Sequence, residues 1–167
     1  NIDIKNEVFA LDSTTISLSI KLFTWAGGKY SRGAIKMHTL LDLRGSIPSF
    51  IFITDGKYHD SNILDEIVPL PTAIYLMDKA YIDFAALYRM HCVGAFFVTR
   101  AKDNMLFKVI DSTEVDKSTG VIADEQILLT GLRTSSWYPE GIRMVTYEDY
   151  ATGNVYRLLT NELEHEA

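Results

Sequence analysis

The chain has 167 residues, of which 47% are hydrophobic and 23% are charged, and its net charge at pH 7 is −6. A chain of this size and composition normally buries one hydrophobic core of its own. Its apolar runs are far shorter than the roughly 18 residues of a membrane span, so we expect a cytoplasmic protein with no membrane partner. Residues 111–167 hold 11 acidic and 4 basic side chains, so the acidity of the chain does not exclude a nucleic-acid partner for the first 110 residues.

The first part of the chain alternates apolar and polar residues in the manner of β-strands. We predict strands over residues 8–11 and 15–23, with Asp12, Ser13 and Thr14 in the turn that joins them. The segments AIKMHTLLD and SFIFIT are typical of two further strands. The sequence therefore predicts an antiparallel meander.

A basic, aromatic stretch crosses this meander. There is no acidic residue between Asp12 and Asp42, whereas the segment contains four basic residues interleaved with aromatic ones: Lys21, Lys29, Arg32 and Lys36. Such a stretch either follows a phosphate backbone or forms a solvated hairpin tip, and charge alone favours neither.

Helical and strand patterns alternate in the next part of the chain. Asp60 is a candidate N-cap for a helix over residues 61–68. The segments AIYLM and GAFFVTR are typical of buried strands, and YIDFAALYRMH between them has a helical pattern. Together with the meander, these elements predict a mixed α/β sheet. Beyond residue 103 the pattern changes to short strands separated by turns, which indicates a β-rich region.

Two carboxylates, Asp12 and Asp78, lie beside predicted strands. Divalent cations such as Mg²⁺ bind carboxylate oxygens, and a pair of ions can clamp the attacking and leaving oxygens of a phosphodiester. The alternative is structural: Asp12 caps a turn and Asp78 caps a helix. Two acids alone do not decide between these interpretations.

Five segments in chain order carry a resemblance to a known family: FALDST, GAIKMHTLLD, PSFIFITDGKYHD, YLMDKAYID and FFVTRAKDN. Together they resemble the catalytic domain of IS4-family DDE transposases, from about residue 9 to 104 and more loosely to 161. The resemblance implies an α/β fold, a ribonuclease-H-like mixed sheet with flanking helices, interrupted by a β-rich insertion. It divides the chain into three parts: the first part of the catalytic core (1–103), the insertion (104–161) and the start of a C-terminal helical part (162–167).

The resemblance also implies an activity, DNA transposition of the cut-and-paste type. In that activity Asp12 and Asp78 match the first and second catalytic aspartates and ligate Mg²⁺ or Mn²⁺ during phosphodiester hydrolysis and strand transfer. The segment after Asp78 is Asp-Lys-Ala-Tyr, where the family usually has Asp-Arg-Gly-Tyr. The implied partners are transposon-end and target DNA, with a homodimer in the full-length synaptic complex. The implied setting is the bacterial cytoplasm, at the nucleoid.

The third carboxylate of the family is a glutamate in a Tyr-x₂-Arg-x₃-Glu-x₆-Lys signature, which this chain does not contain. We therefore expect a fragment that does not cut DNA by itself. Two rival interpretations stay open: another ribonuclease-H-like metal-dependent nuclease, and an inactive DNA-binding remnant.

Four basic residues are candidates for contacts to the DNA backbone: Lys36, Lys79, Arg100 and Lys102. Two of them have a structural alternative. Lys36 also fits a solvated strand lysine, and Arg100 also fits a salt bridge to Asp103 or Asp78.

Overall fold

The computed structural model of the protein describes residues 5–18 and 33–163. Strands dominate this part of the chain: β1 (Val8–Leu18), β2 (Gly33–Asp42), β3 (Ile47–Asp55), β4 (Ile74–Met77), β5 (Phe96–Arg100), β6 (Phe107–Thr113), β7 (Val121–Leu129), β8 (Ile142–Asp149) and β9 (Asn154–Thr160). The helices are α1 (Phe84–Cys92), α2 (Thr134–Trp137) and 3-10 helices over Asp60–Asp65, Lys79–Tyr81 and Lys117–Thr119. No helix within the described ranges is long and apolar enough to cross a membrane.

The described strands form one sheet in the order β3-β2-β1-β4-β5-β9-β8-β7-β6. Strands β1, β2 and β3 are an antiparallel meander, β4 lies parallel to β1, and β5 lies parallel to β4. The predicted mixed sheet is therefore confirmed. On the other side of β5, β9 pairs with it in the antiparallel sense, so the β-rich region extends the same sheet. The boundary between residues 103 and 104 stays a prediction.

The predicted turn at residues 12–14 is wrong. Strand β1 is continuous from Val8 to Leu18, and Asp12 pairs with Thr39 in the middle of its register with β2. Hydroxyl side chains are compatible with a strand because β-branched threonine packs well on a pleated surface. The basic stretch of residues 19–32, and the end of the predicted strand over 15–23, lie outside the described residues.

The prediction of a helix over 61–68 with Asp60 as its cap is also wrong. The segment forms a 3-10 helix over Asp60–Asp65, preceded by His59, which makes no side-chain capping bond. The second predicted helix is confirmed as α1, but it begins at Phe84, because the carboxylate of Asp83 accepts a hydrogen bond from the Ala86 N–H and caps it there.

The core lies on one face of the sheet. Because side chains alternate along a strand, Leu11, Met77 and Phe97 point to the same face, where they are buried with Leu87 of α1. The opposite face of the meander is more open. It carries three exposed isoleucines, Ile16, Ile51 and Ile53, and among them lies Asp12.

Candidate functional site

The register of β1 and β4 places the two candidate acids side by side. These strands run parallel with Leu11 opposite Met77, so Asp12 and Asp78 are the next residues along neighbouring chains. Adjacent strands lie about 4.8 Å apart. Asp12 is exposed, and the side chain of Asp78 is 41% exposed. The structure thus brings together, at a solvent-accessible position, two acids that are 66 residues apart in the sequence.

The carboxylate of Asp78 has two partners. Its Oδ1 atom accepts a hydrogen bond of 3.1 Å from the N–H of Ala80, so Asp78 caps the 3-10 helix Lys79–Tyr81. Its Oδ2 atom forms an ion pair with the guanidinium of Arg100 at the end of β5. The hydrogen bond from Arg100 is the main reason that the pKa of Asp78 is lowered. Arg100 therefore competes with any cation for this carboxylate.

Asp12 differs from Asp78 in its setting. Since β1 passes straight through residue 12, this carboxylate caps no turn, and the structural alternative considered for it does not apply. Its side chain lies on the open face of the meander.

Each predicted DNA-contacting residue has a partner within the protein. Lys36 forms an ion pair with Asp60, 3.0 Å from its Oδ2 atom, and Lys79 lies 3.3 Å from Asp103. Lys102 donates to the carbonyl oxygen of Ile82 at 3.1 Å, and Arg100 pairs with Asp78. Lys79, Arg100 and Lys102 surround the carboxyl ends of β4 and β5, next to Asp78. Lys36 lies on β2, and a phosphate contact there would first have to break its ion pair with Asp60.

A group of polar residues on the core face of the meander was missed by sequence reasoning. This Asp60 cluster consists of Ser13, Lys36, His38, Asp60 and Tyr81. Asp60 accepts hydrogen bonds from Lys36 and from the Ser13 hydroxyl, 3.2 Å away. One signal was present in the sequence: Lys36 and His38 are two residues apart on β2, and therefore point to the same face.

His38 and Tyr81 are the buried members of the Asp60 cluster. The His38 side chain is fully buried, and burial lowers its pKa. Its Nε2 atom lies 3.2 Å from the Thr54 hydroxyl. Burial raises the pKa of Tyr81 to about 12, and the negative charges of Asp60, Asp12 and Asp78 act in the same direction.

The donor chemistry of the acid pair suits a hard divalent cation. Carboxylate oxygens are the ligands that Mg²⁺ and Mn²⁺ prefer, and Asp12 and Asp78 present theirs from adjacent strands. No group of three or more His, Cys, Asp or Glu side chains in residues 5–18 and 33–163 is arranged to hold a metal ion. The two aspartates thus fit part of a ligand set.

Comparison with known proteins identifies relatives of the chain. Residues 3–161 match the family model described as Transposase DDE domain. Two similar proteins are both named as transposases. The first, y4zB of Sinorhizobium fredii, is 31% identical over 160 residues, which are 94% of this chain and 44% of that protein. The second, for insertion sequence element IS5377 of Geobacillus stearothermophilus, is 27% identical over 95 residues, 57% of this chain and 25% of that protein. The chain thus spans less than half the length of either relative.

A solved structure supports the fold. The chain superimposes on the piggyBac transposase, determined by cryo-EM as a synaptic complex with hairpin DNA, with a TM-score of 0.53 and 10% sequence identity. The match covers 96% of this chain and 34% of that one. At this identity the likeness concerns the fold alone, and it confirms the expected ribonuclease-H-like sheet.

Proposed function

Because the chain belongs to the DDE transposase family, we propose that it forms part of an enzyme that catalyses DNA transposition. The reaction comprises metal-dependent phosphodiester hydrolysis and strand transfer at transposon ends, of the cut-and-paste type found in the IS4 group. The observation that carries this proposal is the parallel register of β1 and β4, which sets Asp12 beside Asp78.

In this proposal Asp12 and Asp78 hold Mg²⁺ or Mn²⁺. Such ions, when bound, lower the pKa of a water for attack on the scissile phosphate and stabilise the departing 3′ oxygen. The protein supplies orientation, because both carboxylates belong to hydrogen-bonded strands or their immediate ends. Arg100 balances the charge of Asp78 in the unbound protein.

Three basic residues near Asp78 are the best supported candidates for DNA contacts: Lys79, Arg100 and Lys102. Lys79 and Arg100 have 42% and 49% of their side-chain surface exposed, and phosphate oxygens would compete for them with the acids they now contact. The proposed partners are transposon-end and target DNA, with a homodimer of the full-length protein in the synaptic complex. The proposed location is the bacterial cytoplasm, at the nucleoid.

The third carboxylate is proposed to come from a part of the full-length protein outside this chain. Two facts support this: the chain spans 44% of its relative y4zB, and residues 5–18 and 33–163 form no three-ligand group. We therefore expect the isolated chain to leave DNA uncut.

The experiment uses the full-length protein with a plasmid that carries the transposon ends, and it scores both cleavage and integration. We expect Asp12→Ala and Asp78→Ala each to reduce cleavage by more than about 100-fold, since even residues behind metal ligands contribute 10–100-fold. Asp111→Ala, at an exposed position of β6, is the matched control and should cleave normally.

Each result distinguishes the proposal from its rivals. Unchanged cleavage in both aspartate variants would contradict the assignment of Asp12 and Asp78 as catalytic residues. A full-length protein that binds the transposon ends but does not cleave them would favour an inactive DNA-binding remnant. Cleavage that needs both aspartates but never produces integrated DNA would indicate a different nuclease on the same fold.

A further inference from the structure

The Asp60 cluster is tied to β1 at the residue next to Asp12. Along β1 the side chains of Asp12 and Ser13 point to opposite faces of the sheet. The Ser13 hydroxyl donates to Asp60 Oδ1 at 3.2 Å, and Lys36 Nζ lies 3.1 and 3.0 Å from the two carboxylate oxygens of the same aspartate. Asp60 thus joins the segment after β3 to the backbone that carries Asp12.

This connection is shielded from solvent. The side chains of Lys36 and Asp60 are 18% and 19% exposed, and Lys36 also donates to the carbonyl oxygen of Tyr58 at 3.4 Å. An ion pair that is shielded in this way is screened less by salt than a surface pair. The link is therefore suited to holding a fixed geometry.

Two buried side chains extend the cluster from β1 to the segment that follows Asp78. The Nδ1 atom of His38 lies 3.8 Å from Asp60 Oδ1 and makes no hydrogen bond with the described residues. The ring of His38 meets that of Tyr81 edge to face, with centroids 6.3 Å apart. Tyr81 ends the 3-10 helix that Asp78 caps. The cluster therefore includes Ser13, the residue after Asp12, and reaches through the ring of Tyr81 to the end of the 3-10 helix that Asp78 caps.

We propose that the Asp60 cluster positions the two acids: Asp60, held by Lys36, fixes β1 through Ser13 and so sets Asp12 relative to Asp78. The inference rests on the proposed function, because the acids are taken to bind a divalent cation. Metal ligands must be held within about 0.5 Å of their working geometry by the residues behind them. In this role Lys36 is a positioning residue whose charge is used inside the fold.

The effect of charge alone on Mg²⁺ affinity differs from the effect that a positioning role predicts. Lys36→Met removes a positive charge near the acids, so simple electrostatics predicts tighter binding of a cation. Positioning predicts weaker binding, because Asp60 loses the partner that holds it. Ser13→Ala changes no charge, so electrostatics predicts no effect on binding, whereas positioning again predicts weaker binding.

The test is a titration of this chain with Mg²⁺, followed by the amide NMR shifts of residues 12 and 78. We expect one dissociation constant for both amides in the unchanged protein. Lys36→Met and Ser13→Ala should each raise it on the order of tenfold, the lower end of the range for residues behind metal ligands. Lys36→Arg keeps a positive charge that can pair with Asp60, so its dissociation constant should equal that of the unchanged protein.

A second ion pair provides a control for the effect of reduced stability on Mg²⁺ binding. Asp124 and Arg143 form a buried pair on β7 and β8, with an N–O distance of 2.6 Å. Asp124→Asn should lower the stability of the protein and leave the Mg²⁺ dissociation constant unchanged. Dispersed amide spectra identify the variants that fold.

The outcomes distinguish a failure of metal binding from a failure of positioning. If Mg²⁺ shifts neither amide in the unchanged chain, the two aspartates do not bind the ion without the third carboxylate, and this inference is wrong; the proposed function is then decided separately by the cleavage assay of the full-length protein. If Mg²⁺ binds but Lys36→Met and Ser13→Ala leave the dissociation constant unchanged or lower it, the positioning role alone is overturned.

Discussion

Replacing Asn161 with alanine removes the side chain that fastens the end of β9 to β5. Asn161 is buried, its Oδ1 accepts the N–H of Phe97 at 2.9 Å, and its Nδ2 donates to the carbonyl oxygen of Ala95 at 2.8 Å. Phe97 and Ala95 are both fully buried. The substitution therefore leaves two buried backbone groups without their partners.

The expected loss of unfolding free energy follows from these two backbone groups. A buried polar group that loses its hydrogen bond costs about 1–3 kcal/mol, so the variant should lose about 2–6 kcal/mol of unfolding free energy. This is a large share of the roughly 5–15 kcal/mol that stabilise a typical domain. With a urea m-value of about 2 kcal/mol per molar, the unfolding midpoint should fall by about 1 M or more.

The assay is urea unfolding followed by circular dichroism, with Asn154→Ala as the matched control. Asn154 is exposed, and among the described residues its side chain bonds only to the Thr152 hydroxyl, 3.0 Å away. This control should lose less than about 0.5 kcal/mol. If the urea midpoint of Asn161→Ala lies as close to that of the unchanged protein as the midpoint of Asn154→Ala does, Asn161 does not fasten the two strands.

Further predictions concern the acid site, one turn and one helix cap. Arg100→Met should raise the pKa of Asp78, measured by carboxyl NMR, and should tighten Mg²⁺ binding. In the unchanged protein the lowered pKa of Asp78 contributes stability at neutral pH, and this contribution is lost as the carboxylate is protonated on acidification below about pH 4. The variant lacks this contribution, so it should lose less stability than the unchanged protein over that pH range. Gly120→Ala should destabilise the protein by more than about 1 kcal/mol in urea unfolding, because the added methyl group would lie 2.6 Å from a tyrosine ring atom at φ +93°. Gly153→Ala, at φ +70° with nothing within 4 Å, should cost less. Asp83→Ala should cost about 1 kcal/mol in the same assay, through the lost cap of α1.

The alternation of apolar residues predicted most of the sheet. Strands β2, β4 and β5 were predicted close to their observed bounds, because each is a short run whose pattern is set by one or two buried faces. The sequence also indicated that Asp12 and Asp78 lie beside strands. Their actual juxtaposition depends on the parallel register of β1 and β4, which no local pattern contains.

The errors share one physical cause, partners that are distant in the sequence. The residues Asp12, Ser13 and Thr14 were predicted to form a turn because short polar side chains favour turns, yet β1 continues through them in register with β2. Asp60 was predicted to cap a helix. Its carboxylate instead bonds to Lys36 and Ser13, which are 24 and 47 residues away. A local rule cannot anticipate competition from such contacts.

The place of β9 in the sheet has a consequence for how the protein is made. Strand β5 is complete when residue 100 leaves the ribosome, but its second neighbour, β9, begins only at residue 154. During the synthesis of those intervening residues, the edge of β5 that faces β9 has no strand beside it. An open strand edge is a template for pairing with other chains, and such exposure during folding favours aggregation. A ribosome that stalls between residues 100 and 154 would therefore carry a nascent chain prone to self-association, until translation resumes and β9 covers the edge.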